Sequence, residues 1–476
     1  MELNQLTIKE AREGLRGKKF SSVELTRACL EQIKKHNKDL NAFITITEKE
    51  ALQQAKASDE LASQGETLEA KPLLGIPIGL KDLFLTKGIK TTAGSKVLEN
   101  YIPQYDANVV KKLKDAGAVI IGKTNLDAWA HGSSGENSDF GPAKNPWNQE
   151  YVPGGSSSGS AAAITADMCI ASTGTDTAGS IRLPASFNNI VGLKPTYGRV
   201  SRYGIVAMAS SLDSIGHLTK TVEDSALFFN VTAGKDPMDA TTLPNPTENF
   251  TKNLNKGVKD IRIGIPKEFV TSDTDKEVKT KFEKFIKILE SLGAQIVEVS
   301  LPYTEYGIAA YYIIQPSEVC SNLARYDGIR FGAGREAFGD EAKRRIMLGT
   351  FTLSSGYYEA YYKKAMSVRT LIKQDFDKAF QKVDALIAPV SPTLPWKLGE
   401  KINDPLKMYL SDALTVTANI AGIPSLSVPA GFSKNNLPIG VQIMGEQLSE
   451  NLLFQIGHAF EVTTENEPWR KLRPKL

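Results

Sequence analysis

Two short stretches carry hydroxyl groups on almost bare backbone: Gly154-Gly155-Ser156-Ser157-Ser158-Gly159-Ser160 and, 24 residues on from Ser156, Thr177-Ala178-Gly179-Ser180. A hydroxyl that attacks an amide carbonyl needs activation, a proton acceptor, donors for the developing oxyanion and room for the substrate. Small residues around Ser180 leave the backbone N–H groups of Thr177, Ala178 and Gly179 free to face an oxyanion, with Ser180 as the nucleophile and Ser156 returning to the same edge across an intervening helix. The base must be something other than histidine, because the only four, His36, His131, His217 and His458, are scattered. Lys81, in the apolar setting Gly79-Leu80-Lys81-Asp82-Leu83-Phe84, is the best candidate. Burial disfavours an ammonium and brings a lysine toward the neutral range in which it works as a base. The local sequence equally allows a structural lysine that pairs with Asp82 or extends its head out of an apolar segment. Asp176 and Arg182 flank Ser180 and read as scaffold, a turn carboxylate on backbone N–H groups with an arginine partner.

The first stretch also has the composition of a flexible linker. It runs directly into Ala161-Ala162-Ala163-Ile164, however, which packs rather than flexes. Nor does it match a phosphate-binding loop: no GxxxxGK[ST] or GxGxxG spacing is present, and no lysine follows the glycines.

The elements that must position these groups follow from pattern. Ser21 and Glu24 form a capping box ahead of a helix with Leu25, Cys29, Leu30 and Ile33 on one face. Residues 73–80 read as a buried strand or turn, 106–116 as a helix and 118–121 as a buried strand. Residues 125–153 form a long polar loop of the kind that usually serves a function, and 173–184 reads as a second loop. Strand, helix and strand at 261–265, 275–291 and 295–299 make a βαβ unit with a parallel pair. A helical stretch over about 340–382, strands at 384–390, 423–429 and 439–444, and a closing helix at 450–461 complete the chain. The fold class is α/β: a single large domain, residues 1–476, with a mixed β-sheet covered on both faces by helices and a core around 70–210.

Composition narrows the function classes. The 476 residues are 41% hydrophobic and 23% charged, with 57 basic against 54 acidic side chains and a net charge of +3. This balance gives no electrostatic footprint for nucleic acid. Three separated cysteines, Cys29, Cys169 and Cys320, point to a reducing compartment. The histidines lack metal-ligand spacing. Neither a signal peptide nor a membrane span is expected.

The stretches GGSSSGSAAA, GTDTAGSIRLPASF and VGLKPTYGRVSRYG, over about 154–204, resemble the amidase signature family. The resemblance implies a Ser–cis-Ser–Lys triad, with Lys81 in GLKD as the base, Ser156 as the bridging serine on a cis peptide and Ser180 as the nucleophile. Within the family, SSLDSIGHLTKTVEDSA, AGKDPMDATT, SNLARYDGIRFG, KRRIMLGTFTLSSGYY and AYYKKAMSVRTLI resemble the glutaminase subunits of tRNA-dependent amidotransferases. That implies hydrolysis of glutamine, with ammonia passed to a B-type subunit that amidates Glu-tRNA(Gln) or Asp-tRNA(Asn), and a C-type subunit bracing a cytoplasmic heterotrimer. Mischarged tRNA would be held mainly by the B-type subunit. No cofactor would be bound by this chain, and ATP and Mg2+ would belong to the partner. By the same resemblance Arg345 would take the α-carboxylate of glutamine, Asp412 its α-ammonium, and Tyr311 a further hydrogen bond. Arg344 and Tyr312 stand next to these positions as alternatives. A free-standing amidase for small or aryl amides and a subunit with a dead site are the competing readings. Ala178 stands where the family usually has a second glycine, and His131 where it usually has methionine.

Overall fold

The computed structural model describes residues 2–329 and 332–476. Arg330 and Phe331, within the SNLARYDGIRFG stretch, lie outside the described residues, as does Met1.

Eleven strands form one mixed sheet: β1 (Phe43–Ile46), β2 (Pro77–Lys81), β3 (Val119–Thr124), β4 (Ala171–Asp176), β5 (Val191–Lys194), β6 (Ser214–Thr219), β7 (Arg262–Pro266), β8 (Gln295–Val299), β9 (Ala385–Pro389), β10 (Ser425–Phe432) and β11 (Pro438–Gly445). Their spatial order is β1-β3-β2-β4-β6-β5-β10-β11-β9-β7-β8. β2 runs parallel to both β3 and β4, and β7 parallel to both β8 and β9; the remaining pairings are antiparallel. Strands β2, β3, β4, β5, β6, β9, β10 and β11 are buried along their whole length. Helices therefore cover the sheet, as a mostly buried mixed sheet requires. The 275–291 pattern is realised as the helix Lys276–Ser291, with Val278, Phe282, Phe285 and Leu289 buried, and the capping box is present at Ser21 and Glu24.

Two expectations are corrected. Residues 173–184 are not one loop: Thr173–Asp176 complete β4, and a helix starts at Arg182. The strand signal is masked because β4 is built from small and hydroxyl residues buried on both faces. Its polar groups are satisfied within the core, by bonds such as Ser172 Oγ to the Gly79 carbonyl at 3.0 Å and Ser160 Oγ to the Thr173 carbonyl at 2.9 Å. The stretch at 340–382 is not one helix either. Asp340–Thr352 and Lys364–Phe380 are separated by a turn, with Gly356 at φ +82°, and by a π-helical turn at Tyr358–Lys363. The Ser354-Ser355-Gly356 run breaks the pattern there.

The parallel neighbours β2 and β4 end side by side, and their carboxyl ends deliver Lys81 and Asp176. A fully buried helix, Ser158–Thr165, packs against β4 and starts within the serine cluster, at its third serine. The second helix, Arg182–Asn188, is tied down by a buried ion pair. Arg182 Nε lies 3.0 Å from Asp176 Oδ2 and Nη2 3.0 Å from Oδ1, while Nη1 donates to Gln442 Oε1 (2.9 Å) and Nη2 also to Asn419 Oδ1 (2.6 Å). Burial pushes the Asp176 carboxyl up; the guanidinium outweighs this and holds it below the usual carboxylate value. Arg182→Ala leaves that carboxylate buried and unpaired. The expected destabilisation is about 3–5 kcal/mol, measured as a lowered midpoint of urea unfolding.

Candidate active site

Successive side chains of a strand point to opposite faces, and at the end of β2 this separates two neighbouring charges. Asp82 turns to one side and meets Lys123 at 2.9 Å, both fully buried. Lys81 turns to the other. Its Nζ lies 2.8 Å from Ser156 Oγ, 2.9 Å from Ser157 Oγ and 2.8 Å from Thr175 Oγ1. Pairing of Lys81 with Asp82 is thereby excluded, and so is an extended, solvated lysine: Lys81 is 0% exposed. Burial draws its pKa down from the ordinary lysine value to about 7, against the opposing charges of Asp127, Asp176 and Asp213.

The Gly155–Ser156 peptide is cis. Ser156 is completely buried, whereas Ser180 keeps 7% of its surface. The Ser157 N–H donates to the Ser180 carbonyl at 3.1 Å, which fixes the two serine stretches against each other. Among the described residues none hydrogen-bonds the Ser180 hydroxyl. The structure thus joins Lys81 to Ser156 directly and brings Ser180 alongside through its backbone.

The loop before Ser180 is held at its edges. The Thr177 hydroxyl donates to Asp213 Oδ1 at 2.8 Å, and the Ala178 carbonyl accepts from the Thr415 hydroxyl. No described residue accepts from the N–H groups of Thr177, Ala178 and Gly179, the three expected to face an oxyanion, or from that of Ser180. Ala178 is not among the positive-φ residues, so its Cβ brings no left-handed backbone strain to the loop. Gly179 differs: its φ is +149°, and a Cβ there would stand 2.4 Å from Thr415 Oγ1.

A second cluster lies beside this loop. Arg345 is buried, whereas the Arg344 side chain is 46% exposed and pairs with Glu341. Arg345 Nε donates to Glu341 Oε1 and Nη1 to Gln315 Oε1, both at 2.8 Å. Its guanidinium lies over the rings of Tyr312 (5.1 Å) and Tyr409 (5.5 Å), which stack on each other at 3.6 Å. Tyr311 is buried beside Arg345; burial pushes its hydroxyl pKa up, and the Arg345 charge opposes that shift. Tyr312 reaches Asp412 Oδ2 at 3.4 Å. Asp412 accepts the Ser133 hydroxyl at 2.9 and 2.8 Å on its two oxygens, and burial pushes its pKa up to about 7. Asp412 Oδ1 lies 3.6 Å from the position of a Cβ on Gly179, so the carboxylate borders the oxyanion loop. A cavity of about 470 Å³ lined by Gly132, Glu341, Arg345 and Tyr409 opens onto this cluster.

Sequence reasoning named Lys81, Ser156, Ser180, the oxyanion N–H groups of Thr177, Ala178 and Gly179, and Arg345, Asp412 and Tyr311. It missed Ser157, Thr175, Ser133, Glu341, Gln315, Tyr312 as an Asp412 contact, and Tyr409. His131 is 1% exposed, with both ring nitrogens unpartnered; burial and then the Arg345 charge hold its pKa well below the ordinary value, so it is neutral. Among the described residues no cluster of histidine, cysteine, aspartate or glutamate could hold a metal ion, and no helix is long and apolar enough to cross a membrane.

Comparison with known proteins gives a consistent picture. The sequence model described as Amidase matches residues 24–454. The chain is 52% identical to the A-type subunit of glutamyl-tRNA(Gln) amidotransferase from Geobacter metallireducens, covering 98% of each chain. It is similar to the crystal structure of the A-type subunit of glutamyl-tRNA(Gln) amidotransferase from Thermotoga maritima, with TM-score 0.82 and 43% identity over 98% of this chain and 96% of that one. It is also similar to the native peptide amidase of Stenotrophomonas maltophilia, with TM-score 0.84 and 30% identity over 98% of each.

If Lys81 is the base, hydrolysis of a primary carboxamide needs its neutral form. The expected kcat falls roughly tenfold per pH unit below about pH 7 and levels off above it. If Asp412 receives a substrate ammonium, that charge keeps it ionised in the complex, and Asp412→Asn is expected to raise KM and leave this limb of kcat in place. Steady-state kinetics from pH 5 to 9 check both.

Proposed function

The chain belongs to the amidase family, and from that membership we propose that it is the glutaminase subunit of a tRNA-dependent amidotransferase. In this reading neutral Lys81 accepts the Ser156 proton while Ser156 accepts that of Ser180. The Ser180 oxygen attacks the side-chain carboxamide carbon of glutamine, and the oxyanion is met by N–H groups of Thr177, Ala178 and Gly179. As the tetrahedral adduct collapses, the C–N bond breaks and the relay returns a proton to nitrogen, which leaves as ammonia. Water, deprotonated through the same relay, then attacks the acyl ester, releasing glutamate and restoring the Ser180 hydroxyl. Arg345 takes the α-carboxylate with Tyr311 beside it, and Asp412 takes the α-ammonium.

One observation carries the choice of substrate. A buried arginine and a buried carboxylate of opposite charge converge on Tyr312 beside the oxyanion loop, without pairing with each other. That arrangement suits a free amino acid, whose two head charges are both desolvated on binding. The similarity to proteins named for glutamyl-tRNA(Gln) amidotransferase supports the assembly: a B-type subunit that receives ammonia, holds the mischarged tRNA and uses ATP and Mg2+, and a C-type subunit that braces the complex in the cytoplasm.

The test is glutamate release from glutamine by the chain co-purified with its partner subunits. Ser180→Ala is expected to lower kcat by roughly a thousandfold or more. Arg345→Lys loses the planar fork and is expected to raise KM for glutamine roughly tenfold or more. Arg344→Lys, on the exposed side of the same helix, stays within about twofold of the parent. Hydrolysis of simple amides with no glutaminase activity would identify a free-standing amidase instead.

A further inference from the structure

Asp127 is completely buried, forms no ion pair with any described lysine or arginine, and has no place in the relay or in substrate binding. Its surroundings are specific. The N–H of Gly135 donates to both carboxylate oxygens, at 3.1 and 2.9 Å, and that of Asn137 to Oδ1 at 2.9 Å. The carboxyl also fills the space where side chains at two glycines would stand: a Cβ on Gly155 would lie 2.1 Å from Asp127 Oδ2, and one on Gly132 2.5 Å from Cγ.

Both segments it touches serve the site. Gly155 forms the peptide with Ser156, and the Gly155 N–H donates to the Ser133 carbonyl at 2.9 Å. Ser133 in turn gives its hydroxyl to Asp412. A continuous path of hydrogen bonds and one peptide therefore runs from Ser156 through Gly155 and Ser133 to Asp412, and Asp127 is packed at its bend. We propose that Asp127 is a positioning residue: its carboxylate sets the peptide that carries Ser156 against the loop that carries Ser133, and so fixes the proton relay relative to the carboxylate that receives the substrate's ammonium. The inference rests on the roles given above to Lys81, Ser156 and Asp412.

Its charge has a second effect. The groups facing Lys81 are the hydroxyls of Ser156, Ser157 and Thr175 and the charges of Asp127, Asp176 and Asp213. Arg182 pairs with Asp176, and Asp213 accepts from Thr177, Met208 and Ala209. Asp127 has Glu136 and Lys81 as its charged surroundings. Removing the Asp127 charge takes away support for the Lys81 ammonium, so the neutral amine persists to lower pH.

Two variants of the chain, each in complex with its partner subunits, separate geometry from charge. Asp127→Asn keeps the size and removes the charge. It is expected to lower kcat for glutamine about tenfold or more and to move the acid limb of kcat down by at least about half a pH unit. Asp127→Glu keeps the charge and displaces the carboxylate by one methylene. It is expected to lower kcat and raise KM, with the limb unmoved. Parent-like kcat, KM and limb in Asp127→Asn, or parent-like kcat and KM in Asp127→Glu, overturn the proposal, as does a loss confined to thermal stability; if the asparagine variant does not fold, the glutamate variant decides. Hydrolysis of a simple primary amide is followed in parallel. If the parent cleaves that amide and not glutamine, the glutaminase reading fails, while kcat and its acid limb on the simple amide still test Asp127.

Discussion

An amine sealed from water needs partners in whichever protonation state it occupies, and the three hydroxyls around Lys81 supply them. A hydroxyl both donates and accepts. An ammonium can give one proton to each of the three; a neutral amine can give two and accept one. Neither state leaves a buried group unpaired, so changing between them costs no orphaned donor or acceptor. A carboxylate at the same place would only accept, and would hold the lysine charged.

Other lysines of the fold make the contrast. Lys123 is as deeply buried, but it is spent on Asp82, the Phe84 carbonyl and the Thr91 hydroxyl. Lys194 is also drawn down to about 7, by burial and then by the Arg182 charge, yet its closest partner is the Pro195 carbonyl, with Ser214 Oγ at 3.5 Å. Desolvation alone therefore makes more than one amine capable of neutrality. What distinguishes Lys81 is that its partners are three hydroxyls, one of them on Ser156, whose stretch is bonded to Ser180 through the Ser157 N–H.

That distinction was partly legible in the sequence. The serine cluster, the apolar frame of Lys81 and the Asp176–Arg182 pair are each written within a few residues, and each has its expected role in the architecture. Arg345 against Arg344 is different. Both lie in one basic run, and only the rotation of about 100° per residue along a helix separates the inward guanidinium from the outward one. Strands β4 and β6 were illegible for another reason. Buried on both faces and rich in glycine, serine and threonine, they lack the alternation that marks a strand. Ser133 and Asp127 sit in a turn-rich loop whose partners are distant in sequence, Asp412 being 279 residues from Ser133; no local pattern can announce such a contact.

The substrate end shows why a zwitterion suits this pocket better than a bare amide. Arg345 has its counter-charge in Glu341. Asp412 forms no ion pair with any described residue: its oxygens accept from the hydroxyls of Ser133 and Tyr312, and burial lifts its pKa to about 7 against the Arg345 charge. In the proposed reading an arriving ammonium would supply a pairing positive charge and ionise the carboxylate. The negative head group would meet a guanidinium whose planar fork is already oriented by Glu341 and Gln315. The ligand adds no net charge to a low-dielectric site, so each half of its head is compensated without rearranging the other. A simple amide would leave Asp412 as it was, protonated or strained, and would gain nothing from Arg345. In the proposed reading, selection of an amino-acid amide would follow from charge balance, and it would require that Asp412 be held in register with the Lys81–Ser156 pair.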